Sequence, residues 1–391
     1  MRKYWLLVEI QDRILLAKQK TRSLTTILAE YWGRFQGVLF PFLSACLQEP
    51  LTGKLEQLVQ VWDVVRIEEH VRSPFQQQLG RHEYDRRSLA RAFVAKAVYN
   101  LTTTQTLIDL LESNRSLRRL CGFEQLRHVP SAATFSRAFA EFAATGLGDR
   151  VHEALVSKHI GKQVVMHVSR DSTAVVARER AARKQKPAEG VVRRKRGRPR
   201  KGEQVPSRRP KRLPVQLEQS ARQALADLPK VCDLGAKRDT LGHLHIWKGW
   251  KAHIDWADGN IPITVVTTSA SLHDSQVAIP MAKLTGQRIV SLYDLMDSAY
   301  DAEPIRSMSE QLGHVAIIEP NHRATGSDRL LDPAMRERFR HRTTAERGNS
   351  RLKDEFGLRN LRVRGHAKAH LHIMFGVIAL FADQLLKPFT G

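Results

Sequence analysis

Apolar residues recur along this chain at two different spacings, and the switch falls near residue 162. Up to about residue 150 the spacing is helical. Leu15-Leu16, Leu24, Ile27-Leu28 and Trp32 share one face, as do Leu89, Phe93 and Ala97-Val98, and then Leu107 and Leu110-Leu111. Pro130-Ser131 predicts a helix start with Ser131 as N-cap, running through Phe135, Phe139 and Phe142 until Gly146 and Gly148 stop it. Beyond residue 162 strand patterns appear. Val164–Val168 predicts a strand ending at Asp171, and Ile246–Asp255 and Ile261–Thr268 predict a hairpin closed by Ala257-Asp258-Gly259-Asn260. A helix over about Asp274–Leu284, a strand over Arg288–Leu292, a helix over Glu303–Leu312 and a strand over His314–Ile318 follow. Asp332-Pro333 opens a long helix that Gly357 ends, and a last helix covers about Lys368–Leu386. A meander followed by alternating helices and strands indicates a mixed-sheet α/β domain behind an all-α N-terminal part.

The predicted organisation is thus a helical region of unassigned role over 1–80, a helical domain over 81–150 that suits DNA recognition and equally a plain helical bundle, and an α/β domain over 162–388. A basic stretch over 178–230 interrupts the last. Between Arg193 and Arg212 eleven of twenty residues are Lys or Arg, with three prolines and Glu203 as the lone acid, which predicts a flexible segment without a core. Within it, Lys195-Arg196-Gly197-Arg198-Pro199-Arg200-Lys201 resembles an AT-hook, in which arginines enter the narrow minor groove of A·T-rich DNA. A generic basic linker touching phosphates is the simpler account of Arg196, Arg198 and Arg200.

Charge narrows the partner. The chain carries 63 Lys and Arg against 40 Asp and Glu, a formal +23, which implies an extended polyanion, most simply nucleic acid, with a membrane surface as the alternative. The three cysteines Cys46, Cys121 and Cys232 are scattered, which argues against a disulfide framework or a zinc site. Met1–Leu7 is followed at once by Glu9 and Asp12, unlike a signal peptide, and apolar Leu371–Ala382 is too short for a bilayer. The expected setting is the cytoplasm, with no membrane.

The chemistry concentrates in three places. Asp171 follows the first strand, Asp297 lies past the strand Arg288–Leu292, and Glu346 lies on the late helix. On one continuous helix, Phe339, Arg342, Glu346 and Lys353 would fall within an arc of roughly 60°. Three carboxylates converging at a sheet end suit hard divalent cations such as Mg²⁺, while Arg342 and Lys353 suit phosphate. Asp294 and Asp301 compete with Asp297 on spacing alone. His243, His245 and His253 alternate along a strand and are expected at the surface or facing DNA. Asp274 is expected to cap a helix. Trp247, Trp250 and Trp256 are expected to pack on the sheet, and His366, His370 and His372 to pack or to touch phosphate.

Several of these stretches resemble bacterial insertion-sequence transposases of the DDE superfamily, in the group with a Tyr-x2-Arg-x3-Glu-x6-Lys signature. Here it reads Phe339-x2-Arg342-x3-Glu346-x6-Lys353. Arg342–Phe356, Arg362–Lys368, Lys248–His253, Ser269–Ser275 and Leu292–Asp301 are also similar to this group, as is the helical stretch from about Tyr84 to Phe142. The resemblance implies an RNase H-like core with Asp171, Asp297 and Glu346 as ligands of two Mg²⁺ or Mn²⁺ ions. It selects Asp297 over its neighbours. It assigns DNA contacts to Arg342, Arg347, Arg351 and Lys353, with Phe339 and Tyr300 in support. The implied activity is cleavage at the inverted repeats of an element and transfer of the 3′-OH ends to target DNA by a dimer. The implied setting is bacterial and nucleoid-associated, with double-stranded DNA as partner and no small-molecule substrate. Phe339 departs from the signature, removing a hydroxyl able to hydrogen-bond a phosphate. A metal-dependent nuclease without strand transfer, and a non-catalytic DNA-binding descendant, are the competing readings.

Overall fold

The computed structural model describes residues 51–71, 84–161, 163–182, 211–238, 242–321 and 331–387. The helical pattern read at 1–50 and the Arg196–Arg200 motif lie outside these residues. The chain divides into two compact units, one of residues 1–161, 259–262 and 346–391, the other of 162–258 and 263–345.

The first unit is helical. Its early helices are α1 (Gly53–Val65), α2 (Arg86–Val98), α3 (Thr104–Ser113), α4 (Arg115–Cys121), α5 (Ala132–Ala144) and α6 (Leu147–His159). Side-chain oxygens start several of them: Thr52 accepts from the Leu55 amide, Asp85 from Arg87, Thr103 from Thr106 and Asn114 from Leu117. The predicted helix after Ser131 is present, and Gly146 (φ 61°) ends its turn. Gly148, however, lies inside α6 rather than stopping a helix. The reason is packing, since a Cβ there would sit 2.5 Å from Met374 Cβ. The C-terminal helix of the chain, His366–Leu386, supplies the core. It has 21 residues, long and apolar enough to cross a membrane by length and composition, but Leu371, Ile373 and Met374 through Ala382 are buried. Phe375 packs against Phe93, and Phe93 edges onto Phe135 and Phe139 at centroid distances of 5.6 and 5.0 Å.

The second unit is built on a mixed sheet. Its strands are β1 (Val164–Val176), β2 (Asp233–Arg238), β3 (Leu244–Ala257), β4 (Ile261–Ser269), β5 (Val290–Met296) and β6 (Val315–Ile318). Their order is β2-β3-β1-β5-β6, with β4 also on β3. The β3–β4 turn forms as predicted, with Gly259 and Asn260 at positive φ. β1 is antiparallel to β3 and parallel to β5. Within the stretch read as a flexible basic insertion, α7 (Arg212–Glu218) and α8 (Ala221–Ala226) are ordered helices. Their apolar residues explain this: Leu213 and Leu217 pack beside Ala278, Ile279 and Tyr300, and Leu225 and Leu228 beside Val277 and Met281. The last two of these partners lie on α9 (Ser275–Arg288), which precedes β5; α10 (Glu303–Gln311) leads to β6.

Two predicted elements differ in ways that matter for chemistry. β1 does not end at Asp171 but runs on to Val176, because β3 continues to pair with it as far as Val176↔Gly249. The single long helix after Asp332-Pro333 is broken. α11 (Pro333–Phe339) gives way to a 3-10 turn at Arg340–Arg342 before α12 (Thr343–Asp354). The four residues Phe339, Arg342, Glu346 and Lys353 are therefore not carried on one continuous α-helix.

Candidate active site

The site is positioned by the pairing of β1 with β5. The last parallel pair is Arg170↔Met296, so the next residues on the two strands are Asp171 and Asp297. Neighbouring strands run about 4.8 Å apart, which brings two carboxylates side by side where the parallel pairing stops. The register is held from beneath. Arg170 is 1% and Asp255 0% exposed, and they form a two-pronged pair with Nε–Oδ1 and Nη2–Oδ2 both at 2.8 Å. Arg170 Nη1 also reaches Met296 Sδ at 3.5 Å, and Thr285 Oγ1 donates to Asp255 Oδ2 at 2.6 Å. Composition gave no hint of this buried pair. The signal lies in register, since Arg170 and Asp255 are directly opposed in the β1–β3 ladder.

Asp171 and Asp297 are half-buried. Burial pushes both carboxyls above the ordinary carboxylate value, against the pull of Arg342 on each; the charge of Asp297 adds to the rise at Asp171, and that of Asp274 to the rise at Asp297. Their neighbours are occupied elsewhere. Asp294 accepts from Ser309 Oγ at 2.7 Å and meets His314 Nδ1 at 3.2 Å, while Asp301 pairs with Arg306 at 2.7 Å and accepts the Asn321 amide at 2.9 Å. Asp297 caps the Ser298–Tyr300 turn through the Ala299 amide at 3.0 Å. Tyr300 is buried, its hydroxyl has no hydrogen-bond partner among the described residues, and burial drives its pKa well up.

Arg342 sits on the 3-10 turn, and that turn is pinned to β1. The His341 ring stacks on His167 at 4.4 Å and 8°, and the His341 carbonyl accepts from Ser169 Oγ at 3.4 Å. Asp258 fixes His167, with Oδ1 at 3.1 Å from Nδ1 and Oδ2 accepting the backbone amide at 3.0 Å. Arg338 lies over Tyr293 at 4.3 Å, and Arg342 5.8 Å from the centre of the half-buried Phe339 ring. His167, Asp258 and His341 bring possible ligand atoms within 4.8 Å of one another. Parallel stacked imidazoles nevertheless aim their lone pairs in separate planes, and His167 engages both Asp258 oxygens. This cluster acts as a pin for the turn. The hard-oxygen donor set suited to Mg²⁺ is that of the aspartates.

Asp274 occupies the cap position of α9, but its side chain caps nothing. It pairs with Lys251 Nζ at 2.9 Å and lies 3.9 Å from His253 Nδ1. Despite burial, those neighbours hold its carboxyl below the usual range. His253 is not a surface residue either: it is fully buried, bonds Thr268 Oγ1 at 2.9 Å, and is pushed down to about 4 by burial, hence neutral. His243 and His245 are exposed, and Trp250 and Trp256 are buried in the sheet.

The remaining predicted residues belong to the helical unit. The division of the chain falls between Ala345 and Glu346 on α12. Glu346 and Arg347 are exposed and Lys353 is half-buried. Arg351 was expected at DNA, but its guanidinium is engaged within the unit, by Glu355 at 2.7 Å, Asp383 at 2.6 Å and Gln384 at 2.7 Å. Those partners are an acid at i+4 and two residues on the last helix. His372 Nε2 meets the Gly357 carbonyl and His370 Nε2 meets Asp149 Oδ1, each at 2.9 Å.

A five-strand path with one antiparallel and one parallel neighbour of β1, carrying aspartates at the carboxyl side of that parallel pair, is an RNase H-like core. Two family models match the chain: a transposase domain (DUF772) over residues 47–141 and a transposase DDE domain over residues 236–382. The chain therefore belongs to the insertion-sequence DDE transposases, enzymes that cleave and transfer DNA with divalent metal ions. Asp297 and Glu346 lie within the second match, whereas Asp171 precedes it. Comparison with curated proteins and with solved structures returned no match.

Proposed function

We propose that this transposase binds the terminal inverted repeats of its element, cleaves there, and joins the freed 3′-OH ends to target DNA. The observation that carries the reading is the alignment of Asp171 with Asp297 at the end of the β1–β5 ladder, with Arg342 acting on both. Glu346 joins them as third ligand on the strength of its place in the Arg-x3-Glu-x6-Lys pattern. Two Mg²⁺ or Mn²⁺ ions, when bound, supply an activated water or 3′-hydroxyl and neutralise charge on the leaving oxygen.

The protein's own residues do the rest. Asp171 and Asp297 sit where burial disfavours their ionised forms, so a cation relieves a cost already built into the fold. Arg342 holds a non-bridging phosphate oxygen, assisted by Lys353 and Arg347 along the backbone. Phe339 packs against Arg342 without offering a hydroxyl. The Arg170–Asp255 pair keeps the two aspartates in register. Cleavage and joining are both in-line displacements at phosphorus, so one set of carboxylates serves both. Two ends held together call for a dimer on DNA, and Arg196, Arg198 and Arg200 add sequence-independent affinity.

The test uses duplexes from the DNA flanking the coding sequence, pre-cut at the ends, with a plasmid target and Mg²⁺. Joined product is expected. Cleavage of uncut ends without joining would instead make this a nuclease, and DNA binding without either reaction a non-catalytic descendant.

A further inference from the structure

A cavity of about 350 Å³ opens in the helical unit between α2, the start of α3, α5 and the segment leading into the last helix. It lies at the lower end of the range of ligand sites, roughly 300–1,000 Å³. Its floor is formed by Phe93, Phe135, Phe139 and Phe375, all buried. Its remaining wall is cationic. Lys96, Arg362, Arg364 and Lys368 line it, and no aspartate or glutamate does. Three of these cations fall in the Arg362–Lys368 stretch, which the metal site does not use.

Such a wall is costly when empty. Lys96 donates to the Leu101 carbonyl at 2.9 Å, yet burial, with the charge of Arg362, lowers its amine to about 8. His372, also in the lining, is held down to about 4 by burial and adds no charge at neutral pH. Thr102, Thr103 and Thr104 complete the wall at the start of α3, where the helix dipole is positive. The cavity therefore offers several positive groups to one small volume with no acidic side chain lining it among the described residues, which favours an anion.

We propose that this cavity binds a phosphate group of DNA, with its attached sugar against the apolar floor. The inference rests on DNA being the substrate and adds a backbone anchor in the helical unit, apart from the paired aspartates. The ligand chemistry is shared by a 5′-terminal phosphate and an internal phosphodiester.

The test is DNA binding by the full chain at several salt concentrations, followed by fluorescence anisotropy. Arg362→Gln with Arg364→Gln removes two exposed cations from the rim. Arg222→Gln with Lys230→Gln removes two exposed cations from the other unit as a charge-matched control. Each lost phosphate contact lowers the slope of log affinity against log salt by about 0.9, so removing the rim pair that holds this one phosphate should lower it by about 0.9 and the control pair by much less. Equal changes in the two pairs would overturn the proposal. Duplexes with 5′-phosphate and with 5′-hydroxyl ends separate the sources: an effect confined to the phosphorylated duplex assigns the terminal phosphate, and an equal effect on both assigns the internal backbone. If the wild-type protein binds DNA but neither cuts nor joins it, the transposition reading fails while the slopes still decide the pocket.

Discussion

Replacing Arg170 by Met should destabilise the sheet unit severely and selectively. Arg170 and Asp255 are essentially unexposed, and their two 2.8 Å contacts are supplemented by Thr285 and Met296. Removing one partner leaves Asp255 charged, buried and answered only by a hydroxyl. Breaking a buried pair in this way costs about 3–5 kcal/mol. At about 2–4 °C per kcal/mol for a unit of this size, the thermal midpoint should fall by about 6–20 °C. Arg170→Met with Asp255→Leu replaces the pair by apolar groups and should recover most of the loss, since such exchanges are often neutral. The assay is urea unfolding followed by tryptophan fluorescence, because Trp250 and Trp256 are buried in this sheet and report on it. A loss below about 1 kcal/mol in the single variant, or a double variant no more stable than the single, would refute the assignment of Arg170 as the lock on the Asp171–Asp297 register.

Other outcomes follow from the same structure. Asp171 and Asp297 are held above the ordinary 3.8, so each stabilises the fold fully only below 3.8 and loses that contribution as pH rises through its folded value. Metal-free Asp171→Asn and Asp297→Asn should therefore melt higher than wild type at pH 7 and no higher at pH 3, and added Mg²⁺ should raise the wild-type midpoint alone. Gly148→Ala should cost about 1–3 kcal/mol through its clash with Met374, measured by thermal melting. Phe339→Tyr should tighten binding of end DNA in an equilibrium titration by restoring a phosphate-bonding hydroxyl; unchanged affinity would show that the ring alone does the work.

Much of the architecture was legible because local signals agreed with it. The Asp258-Gly259-Asn260 turn, the Asp332-Pro333 helix start and the Phe135/Phe139/Phe142 stripe each carry their own physical cause. What escaped depends on partners distant in sequence. Asp171-Ser172-Thr173 reads as a polar strand end, and only pairing with Ile254, His253 and Ala252 keeps it extended. The break at Arg340–Arg342 falls in a run too polar for apolar periodicity to register it, and it is set by His341 stacking on His167. The pairing of Arg351 with Asp383, 32 residues later, has no local signal either. Asp171 was singled out as a strand end, which it is not, and resemblance chose Asp297 from three neighbouring aspartates. The hydrogen bonds that occupy Asp294 and Asp301 now supply an independent reason for that choice.

The central claim is that Asp171, Asp297 and Glu346 together hold the ions that cut DNA. The most direct measurement compares Mg²⁺-dependent cleavage of an end-containing duplex by wild type, Asp171→Asn, Asp297→Asn and Glu346→Gln, with binding of the same duplex measured in parallel. The account predicts that all four bind and only wild type cuts. Cleavage by any of the three variants at the wild-type rate would contradict it.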